Sequence, residues 1–264
     1  MKKISFFLVL FLGCTLIAQA QFRGGIGYQN SRPLGSMAMN INNIHQFKLE
    51  GLGKVWHTRL WLGGEIGLGG YASRREPIMF EQNGTITNTY INVSNNVTNF
   101  GLMAQLDLLK RFNVAMPYLH AAVNTNIYAT KLVIEDPEDE DGCEPLDSEV
   151  LRRDYAASAS LGVGVRLALF NQDSRFCDYI TMGRTMLDLR AFYTLGTRVS
   201  YMNANEMNNH NHSQHEPRAN TESIDIQFRN RQTNDIHAHR VGTVFNDPLS
   251  HLGIQATISV SLGE

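Results

Sequence analysis

The sequence predicts an all-β protein, a single closed antiparallel up-and-down β-barrel that crosses a membrane with eight strands, ten being the alternative count. Three observations lead to this prediction. Several segments alternate apolar and polar residues with a period of two, the pattern of a strand with two different faces. The connections between these segments are short and long in turn. After the first 20 residues, no segment contains the roughly 18 consecutive apolar residues that a membrane helix needs.

The first 20 residues have the features of a secretory signal peptide. Lys2 and Lys3 supply the positive end, an apolar core follows, and the Ala-Gln-Ala at residues 18–20 is a small-residue cleavage site. We therefore expect residues 1–20 to be a signal peptide and residues 21–264 to form one exported barrel domain. The net charge of -2 argues against a nucleic-acid partner.

Seven segments before the C-terminal one have a face that we expect to contact lipid. We expect these strands at residues 22–29, 45–55, 59–72, 99–109, 117–133, 154–170 and 185–201. In chain order, their apolar faces include Phe22, Ile26 and Tyr28; Phe47 and Leu49; Leu62, Ile66 and Leu68; Phe100, Leu102 and Leu106; Leu119 and Val123; Leu161 and Val163; and Leu189, Tyr193, Val199 and Tyr201. Each face alternates with small or polar residues, as a half-buried strand requires.

The eighth strand is expected at the C-terminus, from His251 to Leu262, and it has the most regular alternation in the chain. Its even-numbered residues are all apolar, and its odd-numbered residues are glycine or polar after His251. An apolar face of about six residues is long for an ordinary strand and suits a tilted strand that crosses a bilayer.

The connections between these strands indicate how the barrel is oriented. Short turns are expected near residues 57, 111 and 177, and longer connections near residues 37, 84, 142 and 225. Outer-membrane barrels have short periplasmic turns and longer outer loops, so both termini should be periplasmic. Residues 85–93, or 224–228 together with 241–245, could supply the extra strands of a ten-stranded barrel. We expect them instead to extend hairpins above the membrane.

A short motif in the last strand resembles the insertion signal of bacterial outer-membrane barrels, which reads polar, any, Gly, any, any, apolar, any, apolar. His251, Gly253, Ala256 and Ile258 match it in order, although the chain continues past Leu262 instead of stopping on an aromatic residue. At the level of pattern, the whole mature chain is similar to the small OmpA/OmpX-like outer-membrane barrels. The resemblance implies location in the outer membrane of a Gram-negative cell envelope, contact with its lipid, and recognition of this strand by the barrel-assembly machinery.

The expected inner face is rich in charge. An eight-stranded barrel has an interior just wide enough for side chains to fill it, and buried charges must be paired to be tolerated. We therefore expect a lumen plugged by salt bridges, in contrast to an open porin. The charged residues expected inside are Arg23, Lys48, Glu50, Lys54, Glu65, Asp107, Arg166, Asp188, Arg190 and Arg198.

Two polar loops contain residues that could bind a metal ion. The segment 135–149 has nine carboxylates and no basic residue, but their order does not reproduce a calcium-binding EF-hand loop, so a solvated loop is favoured. The weak metal candidates are two His-x-His pairs in the long segment 203–248, namely His210, His212, His237 and His239. A solvated polar loop is the favoured interpretation of that segment too.

Three functions remain open at this stage. The first is a structural, surface-binding or envelope-assembly barrel that acts through its outer loops, with an envelope protein as a possible partner and no cofactor. The second is an outer-membrane enzyme of the lipid A-modifying or protease type, for which His237, His239, Asp235 and Asp247 are candidates. The third is capture of a metal ion or haem by the histidine-rich loop. We favour the first function and expect no enzymatic activity.

Overall fold

The structure is a computed structural model that describes residues 21–82, 85–109, 114–136, 146–169, 183–206, 222–229 and 236–262. Nine strands lie within these ranges: β1 (Phe22–Pro33), β2 (Ile44–Lys54), β3 (Leu60–Gln82), β4 (Thr85–Asp107), β5 (Ala115–Ile134), β6 (Asp147–Ala168), β7 (Gly183–Met202), β8 (Glu222–Arg229) and β9 (Ile236–Leu262). Two short 3-10 helices, Met37–Met39 and Ala204–Glu206, follow β1 and β7. Among the described residues, no helix is long and apolar enough to cross a membrane.

Eight of the strands close into a cylinder. Strands β1 to β7 pair in sequence order, β7 pairs with β9, and β9 pairs back with β1 from Phe22 opposite Leu262 to Pro33 opposite His251. Every pairing is antiparallel. The predicted closed up-and-down barrel of eight strands is therefore confirmed, as is the architecture implied by the resemblance to small outer-membrane barrels.

The possible extra strands form hairpins that extend beyond the cylinder. In the described part of the chain, β8 pairs only with the first part of β9, from Arg229 opposite Ile236 to Glu222 opposite Val244. Residues 85–93 continue β4 along β3, with Thr85 opposite Gln82. A strand that crosses a bilayer needs about 9–11 residues. Since β3 and β4 have 23 residues each and β9 has 27, the wall projects far beyond one bilayer thickness at one end.

The two ends of the barrel differ. The end that we call the turn end contains Phe22, Leu262 and the tight β2–β3 turn at residues 55–59. The opposite end, called here the loop end, carries the projecting hairpins and the β1–β2 connection at residues 34–43. In the β2–β3 turn, His57 has a φ of 52°, and the hydroxyl of Thr58 donates a 2.7 Å hydrogen bond to the carbonyl of Val55.

The burial pattern is the reverse of that in a soluble protein. Leu161 and Val163 on β6 are 70% and 59% exposed, and Phe47 on β2 is 71% exposed. On the same strands, Arg166 and Lys48 face inward and are almost completely buried. Apolar residues therefore face the surroundings and polar residues face the lumen, as the alternation predicted.

One expected lumen residue, Arg198, lies on the outside. The pairing of β7 with β9 shifts by one residue between Leu195 and Arg198, which is a β-bulge. Beyond the bulge, Val199 and Tyr201 are buried inside, although the alternation had placed them on the lipid face, and Arg198 is exposed. The prediction for these three residues was wrong because a one-residue slip exchanges the two faces of a strand.

An apolar cluster, called here the cap, fills the lumen at the loop end. The β1–β2 connection contributes Met37 and Ile41, and Met37 has no exposed surface. The other members come from the start of β2 and from five further strands: Ile44, Val97, Tyr128, Ala156, Val199, Tyr201, Phe245 and Leu249. The β1–β2 connection thus folds inward over the mouth of the barrel.

Candidate functional site

The lumen contains a balanced set of charges. Among the described residues, the buried cations other than histidine are Arg23, Lys48, Arg166 and Arg190, and the buried carboxylates are Glu50, Glu65, Asp107 and Asp188. Four positive and four negative groups give a formal net charge of zero in this set. Since an unpaired buried charge is strongly unfavourable, neutrality is a condition for a packed lumen.

One group of contacts joins three neighbouring strands. Lys48 Nζ donates to Glu65 Oε1 at 3.3 Å and to Asn99 Oδ1 at 2.9 Å. Gly67 lies between them, opposite Lys48 on β2 and Asn99 on β4. A Cβ atom at residue 67 would collide with Asn99 Oδ1 and lie 2.9 Å from Lys48 Cδ. The missing side chain of Gly67 is what allows this contact.

A second group of contacts crosses the lumen. Arg190 on β7 donates through Nη2 to Glu50 Oε2 on β2, and two strands, β9 and β1, lie between them in the wall. Its Nη1 lies 3.1 Å from His120 Nδ1 on β5, and Gln255 Nε2 on β9 lies 3.4 Å from Glu50 Oε2. These contacts connect four strands through the interior, so the lumen is closed at this level by side chains.

A third group lies nearer the turn end. Arg166 forms an ion pair with Asp107, and its Nε lies 3.7 Å from Asp188 Oδ2. The hydroxyl of Tyr118 donates a hydrogen bond to Asp188 Oδ1. Trp61 Nε1 donates to Asp107 Oδ2 at 3.0 Å. The guanidinium of Arg23 stacks on the Trp61 ring, with its Cζ 3.9 Å from the centroid. Charge, hydrogen bonding and a cation–π contact together fill this end.

The structure brings eight of the ten expected lumen residues into these three groups. Lys54 is only half-buried near the turn end, where its Nζ donates to Gln21 Oε1 at 2.7 Å. Arg198 is outside, as described above. Several uncharged residues of the network were not among the expected site residues, namely Trp61, Asn99, Gln105, Tyr118 and Gln255. The alternation of faces could have identified these residues as part of the lumen, because each lies at an inward position of its strand.

A small polar chamber separates the charged groups from the cap. Its volume is about 20 Å³, enough for about one water molecule. Amide and hydroxyl side chains dominate its lining, including Gln29, Gln46, Asn126 and Ser160. Among the described residues, the lining atoms His251 Nδ1 and Asn124 Oδ1 have no hydrogen-bond partner. Both suit hydration of the chamber.

The residues of the motif in β9 divide between the two faces. His251 is buried and lines the chamber, and Gly253 packs against Phe192, whose Cε1 would lie 2.9 Å from a Cβ at residue 253. Ala256 and Ile258 are exposed on the outer face. The polar and glycine positions therefore fit the lumen, and the apolar positions form part of the outer surface.

For most of the metal and enzyme candidates in the loops, the side chain lies outside the described part of the structure. His210, His212, Asp235 and residues 137–145 lie outside the described residues. His237 and His239 belong to the described backbone of β9, opposite Phe228 and Ile226, but their side chains are not described. Across the described ranges, no group of three or more His, Cys, Asp or Glu residues could hold a metal ion.

Asp247, the remaining enzyme candidate, anchors the β1–β2 connection. Its Oδ2 accepts hydrogen bonds from Asn40 Nδ2 at 3.0 Å and from the hydroxyl of Tyr201 at 2.7 Å. Asn203 Nδ2 also donates to the carbonyl of Asn40. Burial raises the pKa of Tyr201 above its ordinary value, which keeps the phenol protonated as the donor to Asp247. These contacts fasten the connection over the mouth of the barrel.

The chain was compared with known proteins. No protein-family model matches it, and neither does any curated protein. Among solved structures, it is similar to Neisserial surface protein A, with 8% identity, a TM-score of 0.40 and coverage of 94% of this chain and 98% of that one. For Ail, the attachment invasion locus protein of Yersinia pestis, the identity is 10%, the TM-score 0.36 and the coverage 91% and 99%. For the outer membrane protease OmpT of Escherichia coli, the identity is 9%, the TM-score 0.27 and the coverage 93% of this chain and 97% of that one. Similarities of this size transfer no activity or ligand to this chain.

Proposed function

We propose that the protein is an outer-membrane β-barrel that conducts no ions and presents its projecting hairpins and loops to other molecules of the cell surface. The observation that carries this proposal is the reversed burial, with a charged interior and an exposed apolar belt. Soluble monomers rarely expose contiguous apolar patches larger than a few hundred Å². A closed cylinder satisfies its backbone hydrogen bonds internally, which is the condition for a β-structure in lipid.

The filled lumen supports the non-conducting part of the proposal. Arg190 and Glu50 cross the interior, Arg166 binds two carboxylates near the turn end, and the cap covers the loop end. The chamber between them is closer in size to one water molecule than to a continuous channel.

The projecting wall supports the surface-binding part. The β3–β4 and β8–β9 hairpins extend past the exposed apolar belt at the loop end. The exposed Arg75 there forms an ion pair with Glu135, and its guanidinium stacks on Tyr90, with Cζ 4.0 Å from the ring centroid. Such ordered extensions are suited to contact other molecules outside the bilayer. We assign no catalytic role to Asp247, because it is engaged in fastening the β1–β2 connection.

The test is expression of the full chain in a Gram-negative host, followed by fractionation and planar-bilayer recording. We expect the protein in the outer-membrane fraction, with faster gel migration when unheated than when boiled, as a compact barrel gives. The purified protein should insert into bilayers without discrete conductance steps. Recovery in the soluble fraction would overturn the membrane assignment, and steady single-channel conductance would overturn the filled lumen.

A further inference from the structure

A groove of about 710 Å³ runs over the outer face of β4 to β7. Its floor contains Ala157 and Ala159, and larger apolar side chains, among them Leu102, Val123 and Leu195, rise on either side. These three are exposed, so the groove opens to the surroundings and not to the lumen. The groove is shallow and open over most of its area, unlike an enclosed small-molecule pocket, and so suits an extended apolar chain lying along the wall.

The groove lies at the upper edge of the apolar belt. On β4, the outward residues change from Leu102 and Phe100 to Thr98 and Asn96 toward the loop end. On β6, the next residue of the outer face after Ala157 toward the loop end is Tyr155, whose ring is exposed. A change from apolar to polar residues with an exposed tyrosine is characteristic of the boundary between the hydrocarbon region and the headgroups. The groove therefore faces the half of the bilayer nearest the loop end.

Two exposed arginines stand above the groove. Arg153 is four residues from Ala157 along β6, about 13 Å at the usual rise of a strand. Arg198 directly follows Thr197, which lines the groove. Asn246 holds the Arg198 guanidinium at the surface, accepting from Nε at 2.9 Å through its side chain and from Nη2 at 2.6 Å through its carbonyl.

The carboxylate of Asp154, next to Arg153 on β6, accepts two hydrogen bonds from the backbone. Asp154 Oδ2 accepts from the backbone N–H of Ser200 at 2.6 Å, and its Oδ1 accepts from that of Tyr155 at 2.8 Å. The guanidinium groups of Arg153 and Arg198 place two positive charges at this rim against the one carboxylate of Asp154, and arginine is suited to bidentate binding of phosphate.

We infer that the groove is a lipid-binding site that holds an acyl chain of an anionic lipid, whose phosphorylated headgroup binds Arg153 and Arg198. The occupant is a lipid of the membrane leaflet nearest the loop end, because a positively charged rim beside an apolar groove on the outer face matches a phosphorylated amphiphile. This inference rests on the proposed membrane placement and adds a ligand class to it.

The test uses the full mature protein in nonionic detergent and native mass spectrometry to count bound lipid. The probes are phosphatidic acid, phosphatidylcholine with the same chains, and inorganic phosphate as a competitor. Ala159→Leu fills the groove, and Arg153→Gln with Arg198→Gln removes the cations. The matched controls are Ala191→Leu, at an exposed alanine on β7 outside the groove, and Arg32→Gln, at an exposed arginine on β1. Each variant is first checked for folding by heat-modifiable gel migration.

We expect one tightly retained phosphatidic acid per barrel and weaker retention of phosphatidylcholine. The double arginine variant should lower phosphatidic acid retention about tenfold, the size expected for losing charge-assisted contacts. Ala159→Leu should lower it to a similar degree because leucine occupies the space of the acyl chain, while both controls bind as the wild type does. Equal retention of the two lipids, or equal losses in the control variants, would overturn the inference. So would displacement by millimolar inorganic phosphate, or a dimer that Ala159→Leu disrupts. Failure to insert into bilayers at all would instead count against the proposed function.

Discussion

Arg190 on β7 and Glu50 on β2 are joined across the lumen, although 140 residues separate them in sequence and two strands lie between them in the wall. Both side chains are almost completely buried. Removing one member of such a pair leaves the other as an uncompensated buried charge, which costs more than the pair itself contributes. The stability lost when one partner is removed therefore shows whether the lumen excludes water.

Replacing Arg190 by methionine should lower the free energy of unfolding by about 3–5 kcal/mol, because Glu50 then remains buried without its partner. The measurement is denaturant unfolding in lipid vesicles, followed by tryptophan fluorescence. The double variant Arg190→Met with Glu50→Leu should recover much of the loss. Arg32→Met is the control at an exposed position. Equal losses in the Arg190 and Arg32 variants would show that the lumen is open to water.

Gly67→Ala tests the contact between Lys48 and Asn99. The new Cβ would collide with Asn99 Oδ1, and we expect a loss of about 1–3 kcal/mol in unfolding free energy, the usual cost of overpacking. Gly24→Ala on β1 is the matched control, since the nearest atom to its Cβ would be Phe22 Cε1 at an ordinary 3.5 Å. If both alanine variants unfold alike, Gly67 is not required for packing.

Met37→Ala tests whether the cap seals the chamber. Truncating a buried methionine costs about 2–5 kcal/mol, which should increase transient opening of the mouth. The readout is the rate at which a charged thiol reagent labels Ser160→Cys, a chamber position, after Cys143 and Cys177 have been replaced by serine. We expect faster labelling with Met37→Ala and no change with Met39→Ala, because Met39 is 61% exposed in the same connection. Unchanged labelling with both would mean that the cap does not control access.

Ile258→Lys tests how deep residue 258 lies in the bilayer. A lysine at the bilayer midplane costs about 2–4 kcal/mol, and one near the interface costs at most about 1 kcal/mol. Ile258 is in the middle of the apolar run of β9 and Leu262 is at the turn end, so Leu262→Lys should cost far less. The measurement is unfolding in vesicles, and equal costs at the two positions would argue against a transmembrane orientation of β9.

The alternation of residues was informative wherever one face of a strand contacts the apolar surroundings and the other contacts the lumen. It placed Lys48 and Glu50 inward because Phe47 and Leu49 beside them are apolar. It failed at Arg198, where a bulge shifts the register without any local change in composition. It also began β6 too late, at residue 154, since residues 147–153 project past the apolar belt, where neither face needs to be apolar.

Other features depend on contacts that a local pattern does not contain. Alternation gives the face of a residue but not which partner it meets, so nothing in the sequence paired Glu50 with Arg190 in preference to Lys48. The sequence predicts a connection near residue 37 but not its inward fold, because Met37 and Ile41 pack with Tyr201, Phe245 and Leu249, which are far away in sequence.

The most direct test of the membrane-spanning barrel compares two adjacent residues on β9, Ile258 and Ser259. Each is changed to cysteine in turn, in a chain whose own cysteines are serine, and is spin-labelled in vesicles. At residue 258, the label should be highly accessible to oxygen, which concentrates in lipid, and poorly accessible to a water-soluble nickel complex. At residue 259, the label should be poorly accessible to both reagents. Equal oxygen accessibility at the two positions, or nickel accessibility at residue 258, would contradict the account.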